Sequence, residues 1–273
     1  MLNDKQAGMG FSRLSFVLVG ICICCTTARA QPTTIAYDGF NYSAGSLAGD
    51  NGGTGWSSAW TNDYTAGATF NVSSAGMTYP GLTTLGGSVV WGPGNNGISE
   101  DSRTLSALFN SGIVYLQFLS QFGSGSSGGG TPNIRLFDSG TLTGGFGSNG
   151  GTDMSILNAS LSTGGASTIT THSLTSLNLV VAQINYNTDT TTMWVNPDLS
   201  TFDYNNPTSP DATYTGLAPV FNEIALDSRN PADVDEITIM TVPEPGTMFL
   251  FVISAIASLL YGRSLSGNRQ GTL

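Results

Sequence analysis

The chain is poor in charge, and poorest in positive charge. Only 10% of its 273 residues are Asp, Glu, Lys or Arg. Between residues 31 and 242 there is no Lys, and three Arg (Arg103, Arg135, Arg229) face sixteen Asp and Glu, a formal charge of −13 with the His neutral. Nucleic acids are bound through a basic footprint, so its lack excludes them as partners. Cysteine is just as scarce. Cys22, Cys24 and Cys25 all lie within the first 25 residues, so residues 31–242 hold neither a disulfide nor a thiolate metal site. Roughly 210 residues can bury a sufficient core without such staples. A single His, His172, excludes a histidine-rich metal centre. Helical periodicity is missing too: Gly alone supplies 36 residues, and Ser, Thr and Asn fill most polar positions, which argues against long helices and coiled coils.

What the chain has is strand signal, interrupted by Gly, Asn, Ser and Pro clusters. The clearest runs are 34–37, 88–91, 113–121, 133–138, 178–186, 190–196, 222–227 and 234–241. Residues 113–119 are apolar on both faces except for Gln117, the pattern of a central strand covered on each side. Residues 223–227 alternate instead, sending Ile224 and Leu226 one way and Glu223 and Asp227 the other. Residues 178–196 read as a hairpin turning at Asn187-Thr188-Asp189, with Pro197 ending its second strand. The Gly and Ser run 123–130 lacks the Lys of a phosphate-binding loop and reads as a spacer. The expected fold is all-β, with two packed antiparallel sheets.

Two apolar stretches flank this core. Lys5 and Arg13 precede the apolar residues 14–25, and Ala28-Arg29-Ala30 follow, so Ala28, Ala30 and Gln31 mark a signal peptidase site. Twelve residues at ~1.5 Å each span about 18 Å, short of a ~30 Å hydrocarbon core, which favours a cleaved signal over an anchor. At the other end Val242, Pro243, Glu244 and Pro245 break the last strand, residues 248–261 carry no charge, and Arg263 and Arg269 close the chain. A transmembrane helix over about 247–262 is expected, with its arginines cytoplasmic and the acidic domain outside.

The order Val242-Pro243-Glu244-Pro245, apolar segment, arginines resembles the PEP-CTERM sorting signal. That resemblance implies recognition by an exosortase, a membrane enzyme that removes or transfers such tails in bacteria making extracellular polysaccharide. It divides the chain into a signal peptide (1–30), a domain (31–242) and a sorting segment (243–273). The two arginines stand six residues apart, a thin basic cluster for this family. The domain in turn resembles concanavalin A-like, laminin-G-like jelly rolls. Tyr37-Asp38-Gly39-Phe40-Asn41-Tyr42, Gly52-Gly53-Thr54-Gly55-Trp56 and Trp60 carry one part of the likeness. The runs 179–184, 193–197 and 234–239 carry the other. The resemblance implies a jelly-roll sandwich of about a dozen strands with the first and last paired near one edge.

Glycosidases of this fold place two carboxylates on one strand, one to protonate the leaving oxygen and one to act as nucleophile or base. Asp233 and Asp235 come nearest to that pattern, but the catalytic members resemble Glu-x-Asp-x-x-Glu, and no second Glu follows here. Glu100 and Asp101 are the alternative pair for a glycoside hydrolase. The expectation is a protein that is not an enzyme. Asp235 either accepts hydrogen bonds from loop amides or joins Asp227 and Asp233 around Ca²⁺. Trp56, Trp60 and Trp91 are expected in the core. Trp194 alternates away from Met193 and Val195, so it either packs or, with Asn196, stacks on a sugar ring. His172 has no nucleophile motif beside it and reads as a surface residue. Together these features lead to the expectation of an exported structural or adhesive protein of the cell envelope, with extracellular polysaccharide as its ligand.

Overall fold

A computed structural model describes residues 31–91, 98–122, 133–163, 169–228 and 231–243. The expected signal peptide and transmembrane helix, with Ala28, Ala30, Glu244, Pro245, Arg263 and Arg269, lie outside the described residues. Among those described, no helix is long and apolar enough to cross a membrane.

Every element among the described residues is a strand. In chain order they are β1 (Thr33–Asp38), β2 (Gly45–Ser46), β3 (Thr61–Ala66), β4 (Phe70–Ser73), β5 (Ser88–Trp91), β6 (Ile98–Phe109), β7 (Ile113–Phe122) and β8 (Asn133–Asp138). They continue with β9 (Thr141–Gly147), β10 (Asp153–Asn158), β11 (Ile169–Ser173), β12 (Asn178–Asn185), β13 (Thr190–Val195), β14 (Ala212–Thr215), β15 (Phe221–Ser228) and β16 (Ala232–Thr241). The first sheet runs β14-β13-β12-β7-β16-β5-β4-β2, with β1 also on β16, and the second runs β11-β10-β9-β8-β15-β6-β3. All pairings between these strands are antiparallel. Among the described residues the chain adopts the expected two-sheet all-β architecture, with sixteen strands instead of about twelve.

Alternation builds the interior. Ile224 and Leu226 of β15, Ile134 and Leu136 of β8, and Val114, Leu116 and Phe118 of β7 enter one apolar cluster between the sheets. Burying a side chain of this size contributes ~1.5–3 kcal/mol. The opposite face of β7 is covered as well. Tyr115 and Leu119 join Leu179, Val181, Trp194 and Met240 in a second cluster, roofed by Tyr79 and Leu82 and by Leu199, Phe202 and Tyr204. That roof explains the nearly unbroken apolar run 113–119, because the first sheet has no solvated face there. Gln117, the one polar interruption, accepts the Tyr204 hydroxyl at 2.9 Å.

The hairpin β12–β13 turns where expected, with Asn185 opposite Thr190. The Asn185 carboxamide accepts the amides of Asn187 and Thr188, an Asx turn that also holds Asp189 at φ 51°. The first and last strands pair, β1 on β16, but not near an edge, since β16 runs inside the first sheet between β7 and β5. In β16 one extra residue lies between Asp235 and Thr238, and Glu236 sits at φ 56°. This bulge breaks the alternation. Val234, Ile237 and Ile239 all enter the core between the sheets, whereas Asp235 stands opposite Leu119 on the outer side. A regular strand would have put Asp235 on the face of Ile237 and Ile239.

Candidate functional site

The aromatic and glycine motifs near the start of the domain converge on a buried ion pair. Asp38 and Arg103 are each 1% exposed, with Arg103 Nη1 2.5 Å from Asp38 Oδ2. Arg103 uses all five donors: Nε to Ser58 O, Nη1 to Asp38 and the Tyr42 hydroxyl, Nη2 to Asn51 Oδ1 and Gly52 O. Its guanidinium carbon lies 4.9 Å from the Trp56 ring centre. Asp38 also accepts Trp60 Nε1, the Tyr42 hydroxyl and Phe40 N. Gly53, at φ 72°, approaches Tyr37 so closely that a Cβ would stand 2.2 Å from its carbonyl oxygen. With every donor committed inside the fold, this constellation is architecture. Trp60 is buried and Trp56 half-buried at its edge; Trp91 is buried elsewhere in the core.

The acidic candidates do not assemble into a site. Asp235 accepts Met77 N and Glu236 N, each at 2.8 Å. Glu236 accepts Leu85 N and the Tyr37 hydroxyl. Two adjacent carboxylates thus tie both ends of the 77–85 segment, which roofs the outer cluster, to β16. Burial pushes the Asp235 carboxyl up to about 7, reinforced by the Glu236 and Asp38 charges and opposed by the two amides. Burial also raises Asp233. Asp227 belongs to the other sheet, where Arg135 bridges it at 2.8 Å to Glu100 on β6. Asp227, Asp233 and Asp235 therefore do not form a common oxygen cage. Among the described residues no group of three or more His, Cys, Asp and Glu is placed to hold a metal ion.

Glu100 and Asp101 are successive residues of one strand and so face opposite sides. Glu100 pairs with Arg135, whereas Asp101 points inward, bonded by Asn62 and Ser99 and pushed up to about 6 by burial.

A cleft of about 430 Å³ brings other residues together. It forms where β13 leaves the first sheet. Asn196 takes φ 59°, a left-handed conformation that Asn tolerates, and Pro197 then prevents further pairing. Asn196 is anchored rather than free: its Oδ1 accepts Leu179 N at 2.9 Å and its Nδ2 donates to Asn178 Oδ1 at 3.0 Å. Asp198 closes a turn by accepting Ser200 N and Oγ, which holds its carboxyl below the usual range. The chain then lays Phe202 edge-on against Trp194, ring centres 5.4 Å apart, and Tyr204 against Phe202 at 4.9 Å.

Trp194 is 4% exposed and donates Nε1 to Thr208 O at 2.8 Å. It is thus a covered wall of the cleft, not an open stacking platform. Phe202, half-buried, supplies the accessible aromatic surface. Asp211 Oδ2 accepts Val195 N at 2.8 Å. Its Oδ1 lies 3.7 Å from Nε2 of His172, which reaches the cleft from β11 of the second sheet, the two side chains 38% and 34% exposed. Thr208 and Ser209 add hydroxyls to the exposed rim. The cleft size is that of a small-ligand site. An aromatic wall beside hydroxyls and carboxylates can take the C–H face of a pyranose while accepting its hydroxyl protons.

Sequence reasoning singled out Trp194 and Asn196 but not Phe202, Asp198 or Asp211. The available signal was Leu199, Phe202 and Tyr204, three large apolar side chains in an otherwise polar loop that follows an Asn-Pro strand end.

No family model and no curated protein matches the chain. Among solved structures it is similar to a sialidase at 10% identity and TM-score 0.41, over 68% of this chain and 17% of that one. It is also similar to a structure from work on endo-acting O-glycanases that human gut microbiota express to initiate mucin breakdown. That match has 11% identity and TM-score 0.43, over 77% of this chain and 100% of the other. A third likeness is to the exoplasmic/lumenal domain of VIP36, in a form bound to Ca²⁺ and Man3GlcNAc, with 12% identity and TM-score 0.40 over 64% and 84%. Matches at these identities and TM-scores transfer no activity, ligand or site to this chain.

Proposed function

We propose that this is an exported, non-catalytic structural or adhesive domain of a bacterial envelope or extracellular matrix, and that the cleft beside Trp194 and Phe202 binds polysaccharide. The observation that carries the binding reading is the cleft itself: about 430 Å³, walled by aromatic rings and rimmed by hydroxyls and carboxylates. Of the acidic residues considered for catalysis, Asp235 is committed to amides, Glu100 to Arg135 and Asp101 to Asn62 and Ser99. Phe202→Ala removes the accessible wall and should weaken binding of a matched oligosaccharide about two- to twelvefold, given ~0.5–1.5 kcal/mol for a ring packed on an aromatic side chain. Calorimetric titration against a panel of bacterial polysaccharide fragments measures this. Release of reducing ends from the same panel, abolished by Asp235→Asn, would replace the binding reading with a glycoside hydrolase.

The route outside rests on the chain ends. Signal peptidase would cut before Gln31, and an exosortase would act at the segment opened by Val242-Pro243-Glu244-Pro245, the domain being held meanwhile by one C-terminal membrane helix. Deleting residues 243–273 should move the protein from the envelope fraction to the medium. Unchanged fractionation would contradict the sorting role, and the intact mass of the native protein reports both cleavages.

A further inference from the structure

We infer that the cleft selects a saccharide bearing a protonated amine, such as a glucosamine residue of a de-N-acetylated polysaccharide, over neutral and acidic sugars. This rests on the binding reading above and adds the chemical class of the ligand. The rim carries two carboxylates, Asp198 and Asp211, and no Lys or Arg lines the cleft. His172 is its one potential cation, and it compensates Asp211 only when protonated. Asp211 spends Oδ2 on Val195 N, which leaves Oδ1 facing the cleft side where His172 stands. Asp198, itself exposed, uses Oδ1 for Ser200 and also lines the cleft.

The surroundings reinforce this local sign: residues 31–242 carry a formal −13, so a uronate or sulfated sugar meets repulsion both at the rim and on approach. A protonated amine gains attraction at the same places, and aromatic rings favour a cationic ring substituent further. The aromatic wall and the Thr208 and Ser209 hydroxyls distinguish a sugar from a bare cation. A pyranose offers an apolar face to Phe202 and hydroxyls to the rim, whereas a lysine side chain offers only a charge on a methylene stem.

The test is calorimetric titration of the full chain at about pH 6, where a glucosamine amine is protonated. The probes are a β-1,4-glucosamine tetramer, its fully N-acetylated counterpart, a uronate tetramer and tetralysine. The glucosamine tetramer should bind about fivefold more tightly than the acetylated one, the upper end for a partly exposed charge contact. That preference should shrink when salt is raised from 50 to 500 mM. Asp198→Asn should bring the two probes to within about twofold, while Phe202→Ala should weaken both by a similar factor.

Equal affinity for the amine and acetylated probes, with Phe202→Ala weakening both, would overturn the amine preference and leave the saccharide cleft standing. A tighter uronate would overturn it as well. Tetralysine matching the glucosamine tetramer would show a charge-only site and overturn the assignment to a sugar. No binding of any probe, with Phe202→Ala also silent against the wider panel, would remove the cleft reading itself.

Discussion

Arg103→Ala is expected to lower the unfolding free energy by about 3–5 kcal/mol, the cost of stranding one partner of a fully buried ion pair. The change removes five hydrogen bonds at once and leaves the Asp38 carboxylate, 1% exposed, with only Tyr42, Trp60 and Phe40 N as donors. It also frees Gly52 O and Ser58 O, which the guanidinium holds in place beside Trp56. Gly52 and Ser58 are half-buried and the Asp38 carboxylate is buried, so water cannot fully replace the lost donors. Urea unfolding monitored by Trp fluorescence measures the loss, with Tyr64→Ala, a 52% exposed side chain on the edge strand β3, as the comparison within about 0.5 kcal/mol of the parent. A loss below about 1 kcal/mol for Arg103→Ala would mean that the network does not hold the two sheets together.

The second large effect is on pH dependence. Burial raises the Asp235 carboxyl from 3.8 to about 7 and the Asp101 carboxyl from 3.8 to about 6. A carboxyl raised on folding binds its proton more tightly in the native state than in the unfolded one. Its stabilisation is complete below about 4 and is lost as pH rises through the folded value. The protein should therefore unfold at progressively lower denaturant concentration from about pH 4 to about pH 8. Asp235 alone accounts for a change on the order of 4 kcal/mol over that window. Asp235→Asn should flatten the profile, because a carboxamide does not ionise. At pH 4 the variant should be the less stable of the two, since it has one oxygen to serve both the Met77 and Glu236 amides. A parent profile that rises from pH 4 to pH 8 would contradict the placement of Asp235.

Several strands were readable because burial is written into their residue pattern. β7 is covered on two sides and is apolar over 113–119 but for Gln117, whereas β15 alternates, its Ile224 and Leu226 entering the core between the sheets. β6, the longest strand, was not, because its inward face carries Asp101 and Arg103, which are satisfied by Asn62 and Asp38 from distant strands. β9 hides behind Gly144, Gly145 and Gly147, whose small size suits close packing: a Cβ on Gly145 would lie 2.6 Å from Ile134 O. β3 is exposed along its whole length and offers no apolar period.

The bulge at Glu236 turns on a single inserted residue, so strict alternation carried past it would put Asp235 on the face of Ile237 and Ile239, whereas it stands on the outer side. The cleft shows the same divide. Alternation separated Trp194 from Met193 and Val195, but its cover, Phe202, is set by a loop folding back. His172 and Asp211 meet only because the edges of two sheets adjoin there.

The four Trp indole N–H signals of a ¹H–¹⁵N spectrum, followed while the glucosamine tetramer and the oligosaccharide panel are titrated in, test the central claim most directly. Trp194, which lines the cleft with its N–H on Thr208 O, should shift saturably with a bound saccharide, while Trp56, Trp60 and Trp91 stay in place. Saturable binding that leaves the Trp194 signal unmoved, or that shifts the other three instead, would contradict it.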